Sequence, residues 1–146
     1  GVHLIPHAID QGIPAVTALG IVSVGHYSAT LHTPESRAFV QEYEARYNAW
    51  PTRHSENGYV AAQLIVAAVN ALKGEVDDRA KFRDGLKAAV TQIQAPRGPT
   101  QFDRYQQAIT HQYVMKVARQ GNRLVNAIVD QIPNVSQEET WKWWNK

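Results

Sequence analysis

The chain has 146 residues, 44% of them apolar and 19% charged, a balance that suits one globular core and argues against intrinsic disorder. Its formal net charge is only +2, and its 15 Lys and Arg residues stand singly instead of forming a run, so they read as solvated surface and nucleic acid is not an expected partner. With no cysteine, and no apolar run near the roughly 20 residues that span a bilayer, a disulfide framework, thiolate zinc sites and direct membrane insertion are not expected.

Residues 2–5 are a short apolar run ended by Pro6, and residues 21–24 are β-branched and bracketed by Gly20 and Gly25, so both read as buried strands. Because the chain is strand-like from its second residue and lacks the start of an export signal, its N-terminus reads as a cut end. Residues 7–19 hold Gly12 and Pro14 and suit a loop with one or two helical turns. Thr33-Pro34-Glu35 writes a helix start: an N-cap hydroxyl, proline at the first helical position and an acid near the positive end of the dipole. Phe39, Val40, Tyr43 and Tyr47 mark one face of that helix, which stops before Trp50-Pro51. A second helix is expected over residues 55–73, apolar on more than one face and therefore buried, with Gly74 as its stop. Asp77-Asp78 caps a third, with Phe82, Leu86, Ala89, Val90 and Ile93 on one stripe.

After Pro96 the period changes to two. Ile109, His111, Tyr113, Met115 and Val117 alternate with Gln112 and Lys116, and Gly121-Asn122 turns the chain back into residues 124–129, giving a β-hairpin. Ser136, followed by Glu138 and Glu139, caps a short terminal helix carrying Trp141, Trp143 and Trp144. That tryptophan cluster suits either packing, a loose tail or weak contact with a membrane surface.

No catalytic motif is present. The six histidines show neither HExxH spacing nor a carboxylate pattern on a helix, and there is no GxSxG elbow, GxxxxGK loop or GxGxxG fingerprint. No catalytic residue, metal ligand or cofactor is therefore assigned, and an enzyme is not expected. Tyr43, Tyr47, Trp50 and Tyr59 form an aromatic set that reads as core and corner packing or as a binding platform.

The segments TPESRAFVQEYEARYNAWP, ENGYVAAQLIVAAVNALKG, RGPTQFD and HQYVMKVARQGN follow one another with set spacing over residues 20–126. In that order they resemble the C-terminal half of the type I periplasmic binding proteins of the branched-chain amino-acid receptor family. The resemblance implies an α/β, periplasmic-binding-protein-like (type I) two-lobed fold, represented by its C-terminal part. Residues 1–28 would then be part of the second lobe with a hinge crossing, 29–108 the helical part of the first lobe, 109–135 the hairpin returning to the second, and 136–146 a terminal tail. It further implies an extracytoplasmic (periplasmic or cell-surface) receptor that captures a small-molecule ligand between its lobes and delivers it to an ABC permease in the inner membrane. A ligand sensor of the same fold is the alternative, and an α/β hydrolase fragment a more distant one.

By the same resemblance, the ligand-facing residues of this stretch are His7, Ala8, Ile9 and Asp10 after the first strand, and His54 and Ser55 at the second helix. Amino-acid-binding members carry a Glu at the position of Ala8 and an aromatic residue at that of His54. Without that carboxylate a ligand ammonium loses its natural partner, while His7 and His54 can donate to a carboxylate or stack on a ring. An anionic or aromatic acid thereby joins amino acids and amides as a candidate cargo. The bland readings are a solvated His54 and an Asp10 that bonds its own backbone in a turn. A molecule of these residues alone is expected to hold ligand poorly, since half the cleft is absent.

Overall fold

The computed structural model describes residues 15–144. In chain order it contains α1 (Ala15–Ala18), β1 (Val22–Gly25), α2 (Pro34–Tyr47), α3 (Arg53–Ala71), α4 (Arg79–Ala89), β2 (Thr100–Phe102), β3 (Ala108–Gln120), β4 (Arg123–Val135) and α5 (Gln137–Trp144). The strand expected over residues 2–5 lies outside the described residues.

The helix starts follow from side-chain capping. Thr33 Oγ1 accepts the Ser36 N–H at 3.1 Å and Pro34 opens α2. The helix ends at Asn48, whose left-handed backbone (φ 49°) turns the chain away ahead of Trp50-Pro51. Helix α3 begins before residue 55 because Thr52 is the N-cap: Thr52 and Ser55 exchange side-chain and backbone hydrogen bonds in a capping box. Asp78 Oδ1 caps α4 by accepting the Ala80 and Lys81 N–H groups at 2.9 and 3.0 Å. Helix α4 stops at Ala89, short of Ile93, where the Gln92 N–H closes a turn on the Ala89 carbonyl.

Helices α3 and α4 approach closely at Gly85, where a Cβ would meet Leu72 Cδ1 at 3.1 Å and Ala68 at 3.8 Å. On α2, Phe39 is buried and stacks against Tyr59 of α3, with ring centroids 4.7 Å apart. Within the described residues Val60 and Ala68 of α3 are buried, while Ile65 and Val66, on the side away from α2 and α4, are 50% and 58% exposed.

All three other strands pair antiparallel with β3. The hairpin is longer than the alternation suggested. Strand β4 continues beyond residue 129 to Val135 through a register shift opposite Thr110/Gln112. Pro133 and Asn134 (φ 51°) occupy that irregularity, where a residue without an N–H is tolerated, and the Asn134 N–H is taken up by His111 Nδ1 at 3.2 Å. Strand β1 also departs from expectation. Ser23, opposite Met115, is buried, whereas the period-two alternation turns Val22 and Val24 outward, 58% and 44% exposed.

The helices sit on the buried side of the sheet. Tyr27, 3% exposed, meets Phe39 edge-on with centroids 6.1 Å apart, and its hydroxyl accepts from Ser36 Oγ at 3.4 Å. Ser28 and Thr30 hydroxyls both donate to the Asn126 carbonyl at 2.7 Å, tying the connection after β1 to β4. At the C-terminus Ser136 caps α5 as expected, accepting the Glu139 N–H at 3.2 Å. Trp141 and Trp144 are 58% and 83% exposed, bordering an open groove beside Gln107 and Gln112 instead of filling it.

Phe39→Ala is expected to cost about 3–5 kcal/mol in urea denaturation, the range for emptying an aromatic core position, while Val66→Ala stays within about 0.5 kcal/mol. Equal losses at both positions would contradict the burial described here.

Candidate functional site

Of the expected ligand-facing residues, His7, Ala8, Ile9 and Asp10 lie outside the described residues. His54 and Ser55 fall in the first turn of α3. His54 is exposed. Ser55 is committed to the capping box, and its hydroxyl also donates to Tyr43 Oη at 3.1 Å, so it holds the helix start in place.

One residue further on, the structure reveals what the sequence reading missed. Glu56 is fully buried and receives a two-pronged bond from Arg97, Nε to Oε1 at 2.9 Å and Nη2 to Oε2. Arg97 Nη2 also donates to Asn57 Oδ1. The Arg97 carbonyl accepts from the buried Tyr113 hydroxyl of β3 at 2.8 Å. Gly98 (φ 97°) lets the backbone turn directly over Tyr113, whose hydroxyl a Cβ would meet at 3.6 Å. From the exit of β1, His26 Nε2 reaches within 3.8 Å of Glu56 Oε2. Neither partner lies in a spacing motif, and 41 residues separate them. The sole trace in the sequence was that both sit in the resemblance segments ENGY and RGPT.

At the centre of this corner one buried carboxylate is matched by one guanidinium. Burial pushes the Glu56 carboxyl upward against the pull of Arg97. His26 is lowered to about 4, first by burial and then by the facing Arg97, Arg53 and His54, partly offset by Asn57. The imidazole is therefore neutral at pH 7, in a positive local field. Exposed His54 sits in the first turn of α3, at the positive end of the helix dipole. Among the described residues no group of three or more His, Asp or Glu is placed to hold a metal ion.

A family described as periplasmic binding protein matches residues 5–122, well over half the chain. The chain belongs to that family. No curated protein matches it. Among solved structures it is similar to an ABC transporter substrate-binding protein from Sphaerobacter thermophilus: 27% identity, 91% of this chain and 40% of that one, TM-score 0.74. A solute-binding protein of an ABC transporter from R. palustris, solved with benzoate, shares 28% identity over 93% of this chain and 35% of that one, at TM-score 0.74. Another, from Rhodopseudomonas palustris BisB5, was solved with 3,4-dihydroxybenzoic acid: 25% identity, 84% and 33% coverage, TM-score 0.71. The chain thus spans between a third and two fifths of the length of these three structures. The type I α/β fold read from the sequence is the one observed.

In this periplasmic binding protein three members of the aromatic set, Tyr43, Tyr47 and Tyr59, gather beside Phe39. Phe39 and Tyr43 lie 5.8 Å apart and Tyr43 and Tyr47 4.6 Å apart, around a shallow groove of about 260 Å³ that also takes in Ser55 and Tyr59. Trp50 turns elsewhere, its ring under the Arg123 guanidinium at 5.1 Å.

Two predictions follow from the buried corner. Glu56→Ala leaves the Arg97 guanidinium without its carboxylate and is expected to destabilise by about 3–5 kcal/mol in urea denaturation. His26 has a lower pKa folded than unfolded, so its contribution is fully present above pH 6.5 and is lost as pH falls toward about 4. From pH 7 to 5 that loss is about 2 kcal/mol. Urea denaturation at both pH values checks it, because His26→Asn should lack this component while keeping the rest of the pH dependence.

Proposed function

We propose that this chain is part of an extracytoplasmic solute receptor, and that its cargo is a small organic acid handed to an ABC permease. The observation that carries the cargo class is the start of α3. There exposed His54 stands in the first turn of α3, at the positive end of the helix dipole and next to Arg53, a corner suited to a carboxylate. The absence of Glu at position 8 points the same way, since a ligand ammonium would have no acid there. The aromatic acids bound by two of the similar structures, benzoate and 3,4-dihydroxybenzoic acid, supply the nearest chemical precedents. In this reading residues 1–28, 29–108 and 109–135 are divided between two lobes, and His7, Ala8, Ile9, Asp10 and His54 face the ligand. Ser55 positions His54. No bond is made or broken, so the protein is a carrier and not an enzyme.

The test is calorimetric titration of the whole two-lobed receptor with benzoate and with leucine. Benzoate is expected to bind more tightly than leucine, and His54→Ala to weaken benzoate about tenfold or more. Preferential leucine binding, or an unchanged benzoate affinity in His54→Ala, would overturn the assignment.

A further inference from the structure

The buried Glu56–Arg97 pair joins two layers at one point. Its guanidinium is anchored on the first turns of α3 through Glu56 and Asn57, while its own carbonyl is anchored on β3 through Tyr113. His26, leaving β1, abuts the same carboxylate. We propose that Arg97 is a positioning residue of the solute site, fixing the direction in which the His54 turn of α3 faces and thereby setting affinity. This rests on the solute-receptor reading above.

Three considerations lead there. First, holding power alone does not call for an ion pair in this place. Apolar side chains of similar volume hold a buried site as well or better, because two charges must be stripped of water before they attract each other. Second, what the pair adds is direction. A guanidinium fork meets a carboxylate in one plane and at two points, so the angle between the Arg97 backbone and α3 is set in a way that methylene contacts do not set it. Third, the residues so aligned are the immediate neighbours of His54. Glu56 and Asn57 are both gripped, and the capping box with Thr52 fixes the same turn from its other end. A binding group needs its support rigid to about half an ångström, and this turn is clamped on both sides.

The experiment separates affinity from stability in the whole receptor. Wild type, Arg97→Lys and the apolar pair Glu56→Met/Arg97→Met are compared by thermal melting and by benzoate titration. The apolar pair is expected to melt within a few degrees of wild type or above it, yet to bind benzoate at least tenfold more weakly. Arg97→Lys keeps the charge, loses the fork, and is expected to fall between the two in affinity. A folded apolar pair with wild-type affinity overturns the proposal, showing the ion pair to be only a fastening. If the apolar pair does not fold, Arg97→Lys decides: wild-type affinity overturns the proposal and a several-fold loss supports it. Wild-type protein that binds neither benzoate nor leucine removes the receptor reading itself, and the positioning role with it, which is a different result from tight binding that ignores Arg97.

Discussion

Strand β3 is the constraint on which the described structure depends. It pairs with β1, β2 and β4, so the place of every other strand is set by its register on these thirteen residues. A slip by one residue would turn Tyr113, Met115 and Val117 from the buried face to the open one. At Gly25, opposite Tyr113, the sheet leaves little room for a side chain: a Cβ there would come within 3.1 Å of Met115 Cε. Tyr113 then carries the constraint out of the sheet, since its hydroxyl fixes the Arg97 carbonyl and Arg97 fixes α3. A chain of three contacts therefore runs from strand pairing to the exposed His54 turn.

The charged pairs differ greatly in what they contribute. Lys81–Glu75 and Arg104–Glu138 are exposed, and pairs of that kind are worth between nothing and about 1 kcal/mol once side-chain ordering and salt screening are counted. Glu56–Arg97 is almost fully removed from water, so it is costly to assemble and costlier still to break on one side. Burial first, and the paired state of Glu56 second, keep His26 neutral beside a carboxylate. Arg97 already satisfies Glu56, and an added proton would meet Arg97, Arg53 and His54 in a site with little water to screen them.

Features written locally were legible in the sequence. Thr33-Pro34, Asp78, Gly74, Gly121-Asn122 and Ser136 all act through hydrogen bonds or φ values within a few residues, and each marks an element boundary in the structure. Thr52 was legible in principle, but Pro51 before it and the apolar run after it drew the helix start to residue 55. What depends on distant partners was not legible. Strand β2 has three residues and exists because β3 offers an edge to it. The exposure of Ile65, Val66, Val22 and Val24 depends on which neighbours cover them, and composition alone does not say. For the site, the sequence and the family resemblance placed His54 and Ser55, but not their support. Glu56 and Arg97 look like ordinary surface charges until the fold brings them together, since no spacing rule links residues joined through a sheet.

The same two layers meet a second time. Arg123, at the start of β4, reaches Glu44 of α2 at 3.1 Å and lies over Trp50. Both charged side chains are about half exposed, so water and salt can replace the contact at little cost. At the Glu56–Arg97 end, separation would expose a paired charge set that took much free energy to bury and would leave each member unsatisfied on the way. The two pairs therefore tie helices to sheet with unequal strength, weakly at Arg123 and strongly at Arg97.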